Sequence, residues 1–275
     1  MRTSGIPERP RVGLGGEGVL RTTSREAGAT AVITEALDRG IRYYDSARAY
    51  EDSELYHGLI WGDRPARRDG VFLTSKSGSR SYAGAIADLS QTLTRMRTDY
   101  LDLWQIHDLR TRPEIRAIEE PHGALRAFLE AKEAGLVKQI GVTGHHDPTV
   151  LAEAVERWPV DTVLLPVNPV EAVLGGFVDR VLESAGAAGV APIGMKVLGH
   201  GNYVAPDGGI TAEILIRYAL TFPIRMAIVG CDTPAEVAVL LRAAAAGPLE
   251  PGESDALVEA FRPAARRLAY YRGVL

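Results

Sequence analysis

Eight short apolar runs, each followed by a stretch with helical spacing, recur from one end of this 275-residue chain to the other. Residues 11–15, 41–45, 71–75, 102–107, 137–143, 162–167, 190–197 and 225–229 read as strands. Between them lie predicted helices at 26–39, 53–61, 82–96, 123–134, after Asp147-Pro148, 177–188, 211–220 and from Thr233-Pro234 to about 245. The helical signals are physical. Ile86, Leu89 and Leu93 repeat at i, i+3, i+7, Gly40 and Gly135 sit where helices end, and Asp147-Pro148 pairs an N-cap with a proline at the first helical position.

Strict strand–helix alternation implies a parallel sheet with helices packed on it. Eight such units in roughly 250 residues match a closed barrel better than an open doubly wound sheet. The run Thr162-Val163-Leu164-Leu165 suits a strand buried on both faces. No repeat, low-complexity tract or linker divides the chain. The expected fold is α/β, a (β/α)8 TIM barrel as a single domain over residues 1–275, closed by a last helix near 254–271.

Composition narrows the class. Apolar residues at 46% and charged residues at 24% are ordinary for a soluble enzyme. Cys231 is the only cysteine, so no internal disulfide can form, and a lone thiol fits a reducing compartment. The start of the sequence has no apolar run and no stretch reaches the length of a membrane span, so a cytoplasmic location is expected, with no membrane partner. A net charge of −4 argues against nucleic acid as a partner and leaves small molecules.

In such barrels, chemistry sits at the carboxyl ends of the strands. Asp45 ends the second expected strand, Tyr50 follows in the loop, Lys76 closes the third and His107 closes the fourth. Singly, each has a structural reading: a helix-capping Asp, a packed Tyr, a solvated Lys or His. Together they put an acid, a phenol, an amine and an imidazole around one mouth. That set supports proton donation to a carbonyl oxygen, with the ammonium favouring phenolate, the carboxylate fixing the ammonium and the imidazole orienting the carbonyl.

The segment Gly40-Ile41-Arg42-Tyr43-Tyr44-Asp45-Ser46-Ala47-Arg48-Ala49-Tyr50 resembles the aldo-keto reductase stretch in which a strand delivers Asp and its loop delivers Tyr. Phe72-Leu73-Thr74-Ser75-Lys76, Tyr100-Leu101-Asp102-Leu103-Trp104-Gln105-Ile106-His107 and Lys138-Gln139-Ile140-Gly141-Val142-Thr143 resemble that family's third, fourth and fifth strands. The likeness runs in order along nearly the whole chain. It implies an NADP-dependent carbonyl reductase with Tyr50 as proton donor, Lys76 and Asp45 as its tuning pair and His107 as the orienting group. It also implies a small-molecule carbonyl substrate and NADPH as cofactor, with NADH the other possibility.

The cofactor half departs from the family pattern. Where the family places Ser-Asn after the fifth strand this chain has Thr143-Gly144, and where it ends the sixth with Asn-Gln this chain has Asn168-Pro169. The positions that grip the adenosine 2′-phosphate and adenine correspond to Gly230, Cys231, Glu236 and Leu240, which carry no cation. The resemblance implies that the seventh strand compensates, with Met195 expected at the stacking position on the nicotinamide, Lys196 as a replacement cation, and Gly199 and Gly201 permitting close backbone approach. Gly15 and Gly16 line the nicotinamide end, and Asp45, Thr143 and Asn168 complete the expected cofactor contacts.

Other signals are weaker. His145-His146 lacks further ligands near in sequence, so no metal is expected. Cys231 has no flanking His or Lys and reads as packing. The residues 108–121 read as a loop whose Arg110, Arg112 and Arg116 are solvated, and the short tail after the last helix suggests an open pocket. Two other functions compete: a cofactor-sensing regulatory protein, suggested by the eroded adenosine site, and a lyase or isomerase using Lys76 as a Schiff-base amine.

Overall fold

A computed structural model describes residues 5–62 and 65–275. Eight strands form a closed, all-parallel barrel in sequence order: β1 (Val12–Gly18), β2 (Tyr43–Tyr44), β3 (Phe72–Ser77), β4 (Leu101–Ile106), β5 (Val137–Thr143), β6 (Thr162–Pro166), β7 (Ala191–Met195) and β8 (Ala227–Cys231). β8 closes onto β1 through Val12–Ala227, Gly13–Ile228 and Leu14–Val229, with a register shift before Gly18 meets Cys231. The expected (β/α)8 barrel is the observed fold. Among the described residues, no helix is long and apolar enough to cross a membrane.

Two apolar layers hold it. Successive strand side chains point to opposite faces. Tyr43, Phe72, Leu103, Leu164, Ile193 and Ile228 fill the barrel interior with Ile6 and Met226. Their neighbours Tyr44, Leu73, Trp104, Leu165 and Val229 pack outward against the helices. Inside, Tyr43 and Phe72 stack at 5.3 Å; outside, Trp104 stacks on Phe128 of the helix Ala124–Glu133 at 3.6 Å. Each such side chain contributes roughly 1.5–3 kcal/mol of burial.

The same period of two positions the site. Continuing the inward parity along each strand gives Gly15, Asp45, Lys76, His107, Thr143, Asn168 and Met195, so the expected site residues crown the filled barrel at its carboxyl end.

Three expected elements differ. Residues 108–121 are not a plain loop: Arg112–Glu119 is a helix, started by a reciprocal capping box between Thr111 and Glu114 with a proline in its first turn. The expected helix 177–188 begins with a π-helical turn, Phe177–Val181, and is preceded by a short helix, Pro169–Leu174, which Asn168 caps. The closing helix breaks into Pro251–Phe261, a 3-10 turn Arg262–Ala264 and Ala265–Leu268, because Pro263 has no N–H to continue the ladder.

Candidate active site

Lys76 rises from β3 and is 1% exposed. Its Nζ donates to Asp45 Oδ2 at 2.6 Å and to the Ser46 carbonyl at 2.7 Å, while Asp45 Oδ1 accepts from Thr74 Oγ1 at 3.0 Å. Burial pushes the Lys76 pKa down, and Asp45 opposes that push. A buried pair of this kind is costly to break from one side, because the remaining charge has no solvent to turn to.

Tyr50 lies over this pair, its ring centroid 4.6 Å from Lys76 Nζ and 5.0 Å from the guanidinium carbon of Arg21. The Tyr50 ring also meets the His107 imidazole edge-on. The Tyr50 pKa moves well above its ordinary value, pushed by burial first, then by Asp45 and Glu17, with Arg21 opposing. This is opposite to the acidification expected from the neighbouring ammonium. The ammonium faces the ring and is bonded to Asp45 and Ser46, and burial with the Asp45 and Glu17 charges sets the net direction. His107 moves well below its ordinary pKa, by burial and then by the Lys76 charge, which favours the neutral imidazole. Its backbone is fixed on both sides: its N–H donates to the Ser77 carbonyl at 2.8 Å, and its carbonyl accepts from Arg80 at 2.9 Å.

Close packing explains two of the glycines. A Cβ on Gly16 would lie 2.7 Å from the Tyr50 ring, and one on Gly15 would lie 2.9 Å from the Gly230 nitrogen of β8.

The expected cofactor residues divide in two. Thr143 is buried, and its Oγ1 accepts from the Asp108 N–H at 2.9 Å, so it braces the loop after β4. Asn168 is fully buried and uses its amide on Glu171, Lys196 and Tyr271. Met195 is partly exposed above the inner core, and Lys196 follows it with φ +55°. Lys196 Nζ lies 2.9 Å from His200 Nε2 and 3.9 Å from Glu17 Oε1, while Glu17 also pairs with Arg21 at 3.0 Å. The turn continues through Gly199 at φ +53°, where a Cβ would strike the Tyr203 ring, and Gly201 at φ +83°, whose Cα faces open space.

The adenosine positions carry no clamp. Glu236 caps the Asp232 N–H at 2.7 Å, placing a carboxylate where a phosphate would need a donor, and Leu240 is buried. Cys231 is buried and its thiol is pushed up to about 12 by burial, then by Glu236 and Asp232, which fits packing. His145 joins Asp108 at 3.3 Å and the Tyr271 carbonyl at 3.2 Å. Arg110 and Arg112 are paired with Asp108 and Glu153.

Sequence reasoning missed Glu17, Arg21, Glu171, Tyr271 and Arg272. The i, i+4 spacing of Glu17 and Arg21 is visible locally; the others come together only through the fold. The short tail is anchored at the rim: Tyr271 is buried, and the Gly273 N–H bonds the His146 carbonyl at 3.0 Å.

A parallel eight-stranded barrel with an Asp–Lys pair, a tyrosine and a histidine at its carboxyl end defines a class, and the sequence matches the Aldo/keto reductase family over residues 11–207. The chain belongs to that family. It is 27% identical over 199 residues to a 6-dehydroglucose reductase of Novosphingobium aromaticivorans, covering 66% of this chain and 62% of that protein. It is 32% identical over 118 residues to a methylglyoxal reductase of Escherichia coli O157:H7, covering 42% of each. The matched region thus spans less than two thirds of the length of these two relatives. Among solved structures, an aldo-keto reductase of Bacillus halodurans superposes with a TM-score of 0.74 at 20% identity, covering 96% of this chain and 93% of that one. One from Klebsiella pneumoniae in complex with NADPH gives a TM-score of 0.74 at 19% identity over 92% and 91%.

Proposed function

We propose that the chain reduces an aldehyde or ketone to an alcohol with NADPH, using Tyr50 as proton donor. The observation that carries this reading is the Tyr50 ring held between a buried Asp45–Lys76 pair and the His107 imidazole. A bound nicotinamide supplies the hydride, which is chemistry no side chain here can replace.

The residues of the chain supply the rest. A carbonyl in the mouth becomes more basic at oxygen as its carbon accepts hydride. The raised pKa of Tyr50 keeps the phenol protonated, and an incipient alkoxide is a strong enough base to take its proton. The neutral imidazole of His107 offers an N–H to the same oxygen and sets its direction. The fixed ammonium of Lys76, beneath the ring, stabilises negative charge as it passes to the phenolate. The bonds from Lys76 Nζ to Asp45 and the Ser46 carbonyl favour a fixed ammonium over a Schiff-base role.

The fit to a dinucleotide is uneven. Met195, Lys196 and the open backbone at Gly201 suit the nicotinamide and pyrophosphate, with Gly15 at the nicotinamide end. Glu236 does not suit a 2′-phosphate. Lys196 is therefore the cation assigned to the phosphates, and Thr143 and Asn168 act as supports behind the cofactor. The relatives' names make methylglyoxal and an oxidised sugar the first carbonyls to try. A cytoplasmic setting fits the lone buried thiol.

The test is a fluorescence titration, using Trp61, Trp104 and Trp158 as reporters, with NADPH and separately NADH, followed by a carbonyl panel. Saturable NADPH binding with turnover supports the reading. Binding without turnover favours the regulatory alternative raised by Glu236, and binding of neither cofactor overturns the reductase reading.

A further inference from the structure

The last residues of the chain run back to the barrel mouth and enter a buried polar relay. Tyr271 is buried, and its hydroxyl donates to Glu171 Oε1 at 2.7 Å while accepting from Asn168 Nδ2 at 3.0 Å. Asn168 is fully buried; its Nδ2 also donates to the Lys196 carbonyl at 3.1 Å, and its Oδ1 accepts from the Glu171 N–H at 3.1 Å. Behind Tyr271, the Arg272 side chain is 4% exposed; its Nη2 lies 2.9 Å from Glu171 Oε2, and its guanidinium carbon lies 5.0 Å from the Phe177 ring centroid. His145 Nδ1 lies 3.2 Å from the Tyr271 carbonyl.

Lys196 is where this relay leads. It is a non-glycine residue at φ +55°, a strained conformation that persists only when its surroundings over-determine it. The Asn168 amide supplies one restraint, at the Lys196 carbonyl. Asn168 in turn is oriented at its Oδ1 by Glu171 and at its Nδ2 by Tyr271. The tail thus reaches the backbone of the one lysine above β7 without touching its ammonium.

We infer that Tyr271 is a positioning residue for Lys196, and that the C-terminal tail, anchored by the Glu171–Arg272 pair, sets cofactor affinity. This inference rests on the reading above that Lys196 faces the cofactor phosphates. Losing the Tyr271 hydroxyl frees Asn168 to turn, loosens the Lys196 backbone and blurs the position of its ammonium. The carbonyl site, built from β2 to β4, is untouched.

The test is a double-mutant cycle with Tyr271→Phe and Lys196→Met, each measured for NADPH affinity, carbonyl KM and thermal midpoint. Tyr271→Phe is expected to weaken NADPH binding about tenfold and to leave the carbonyl KM within about twofold. In the Lys196→Met background the same change is expected to cost little further affinity, because the group it positions is gone. A merely structural role for Tyr271 moves the thermal midpoint but not this split. Unchanged NADPH affinity in Tyr271→Phe, or fully additive losses in the cycle, overturns the inference while the reductase reading stands. A wild-type chain that binds no NADPH overturns both. If Tyr271→Phe does not fold, Arg272→Met releases the same anchor from the far side of Glu171 and is expected to give the same split.

Discussion

The Tyr50 ring and the His107 imidazole meet edge-on, with centroids 5.5 Å apart and planes at 82°. Their titrations are displaced in opposite directions: burial lifts the phenol well above its ordinary 10.0 and drops the imidazole well below its ordinary 6.5. Between those values Tyr50 stays protonated and His107 stays neutral. The pH profile of kcat/KM at saturating NADPH is therefore expected to show no limb from either of these two groups between about pH 6.5 and 10. An acid limb near 6.5 that disappears in a His107 variant contradicts this arrangement.

Gly16 places its Cα against Tyr50, and an added Cβ would also lie 2.9 Å from the Asp45 carbonyl. Neither the ring nor the backbone can retreat far in a packed site. Gly16→Ala is expected to displace the phenol and lower kcat on the order of 10- to 100-fold, with the fold retained by circular dichroism. Wild-type kcat in that variant means the ring position is not critical.

Lys76→Met leaves Asp45 buried with Thr74 as its remaining side-chain partner. Removing one member of a buried ion pair costs about 3–5 kcal/mol, measured by denaturant unfolding. Asp45→Asn combined with Lys76→Met is expected to recover much of that loss, since no charge is then stranded. Turnover is expected to stay low in both variants. A double variant less stable than the single one counts against a charge-driven cost.

His57 is a buried imidazole stacked on Trp61, with neither ring nitrogen hydrogen-bonded by a side chain. Burial lowers its pKa from 6.5 to about 4. The unfolded chain binds the proton more readily than the folded one between those values. Stability is therefore full above pH 6.5 and is lost as pH falls toward 4, by on the order of 3 kcal/mol from this group. His57→Phe is expected to flatten that acid slope in unfolding experiments from pH 4 to 7. An unchanged slope assigns the acid sensitivity elsewhere.

Much of this protein is legible in local pattern. The barrel follows from eight apolar runs, and the inward parity that carries Tyr43 to Asp45, or Phe72 to Lys76, puts the catalytic candidates on one rim. The helix Arg112–Glu119 was readable too, since Thr111 and Glu114 hold the spacing of a capping box beside a proline. Three features were not readable. The direction of the Tyr50 pKa depends on burial and on where the Lys76 ammonium points, and spacing encodes neither. The full use of the Asn168 amide depends on Tyr271, 103 residues away. The tail's return to Asn168 follows a break at Pro263 that a simple helical reading ran through.

The most direct test is Tyr50→Phe, followed by NADPH oxidation against a carbonyl substrate and by NADPH titration of the same variant. The phenyl ring keeps the packing and removes only the hydroxyl that would give the proton. Loss of about 10²–10⁴-fold in kcat/KM is expected, with NADPH affinity within about threefold of wild type. Undiminished turnover would contradict Tyr50 as the proton donor and, with it, the assignment of this mouth as a carbonyl reductase site.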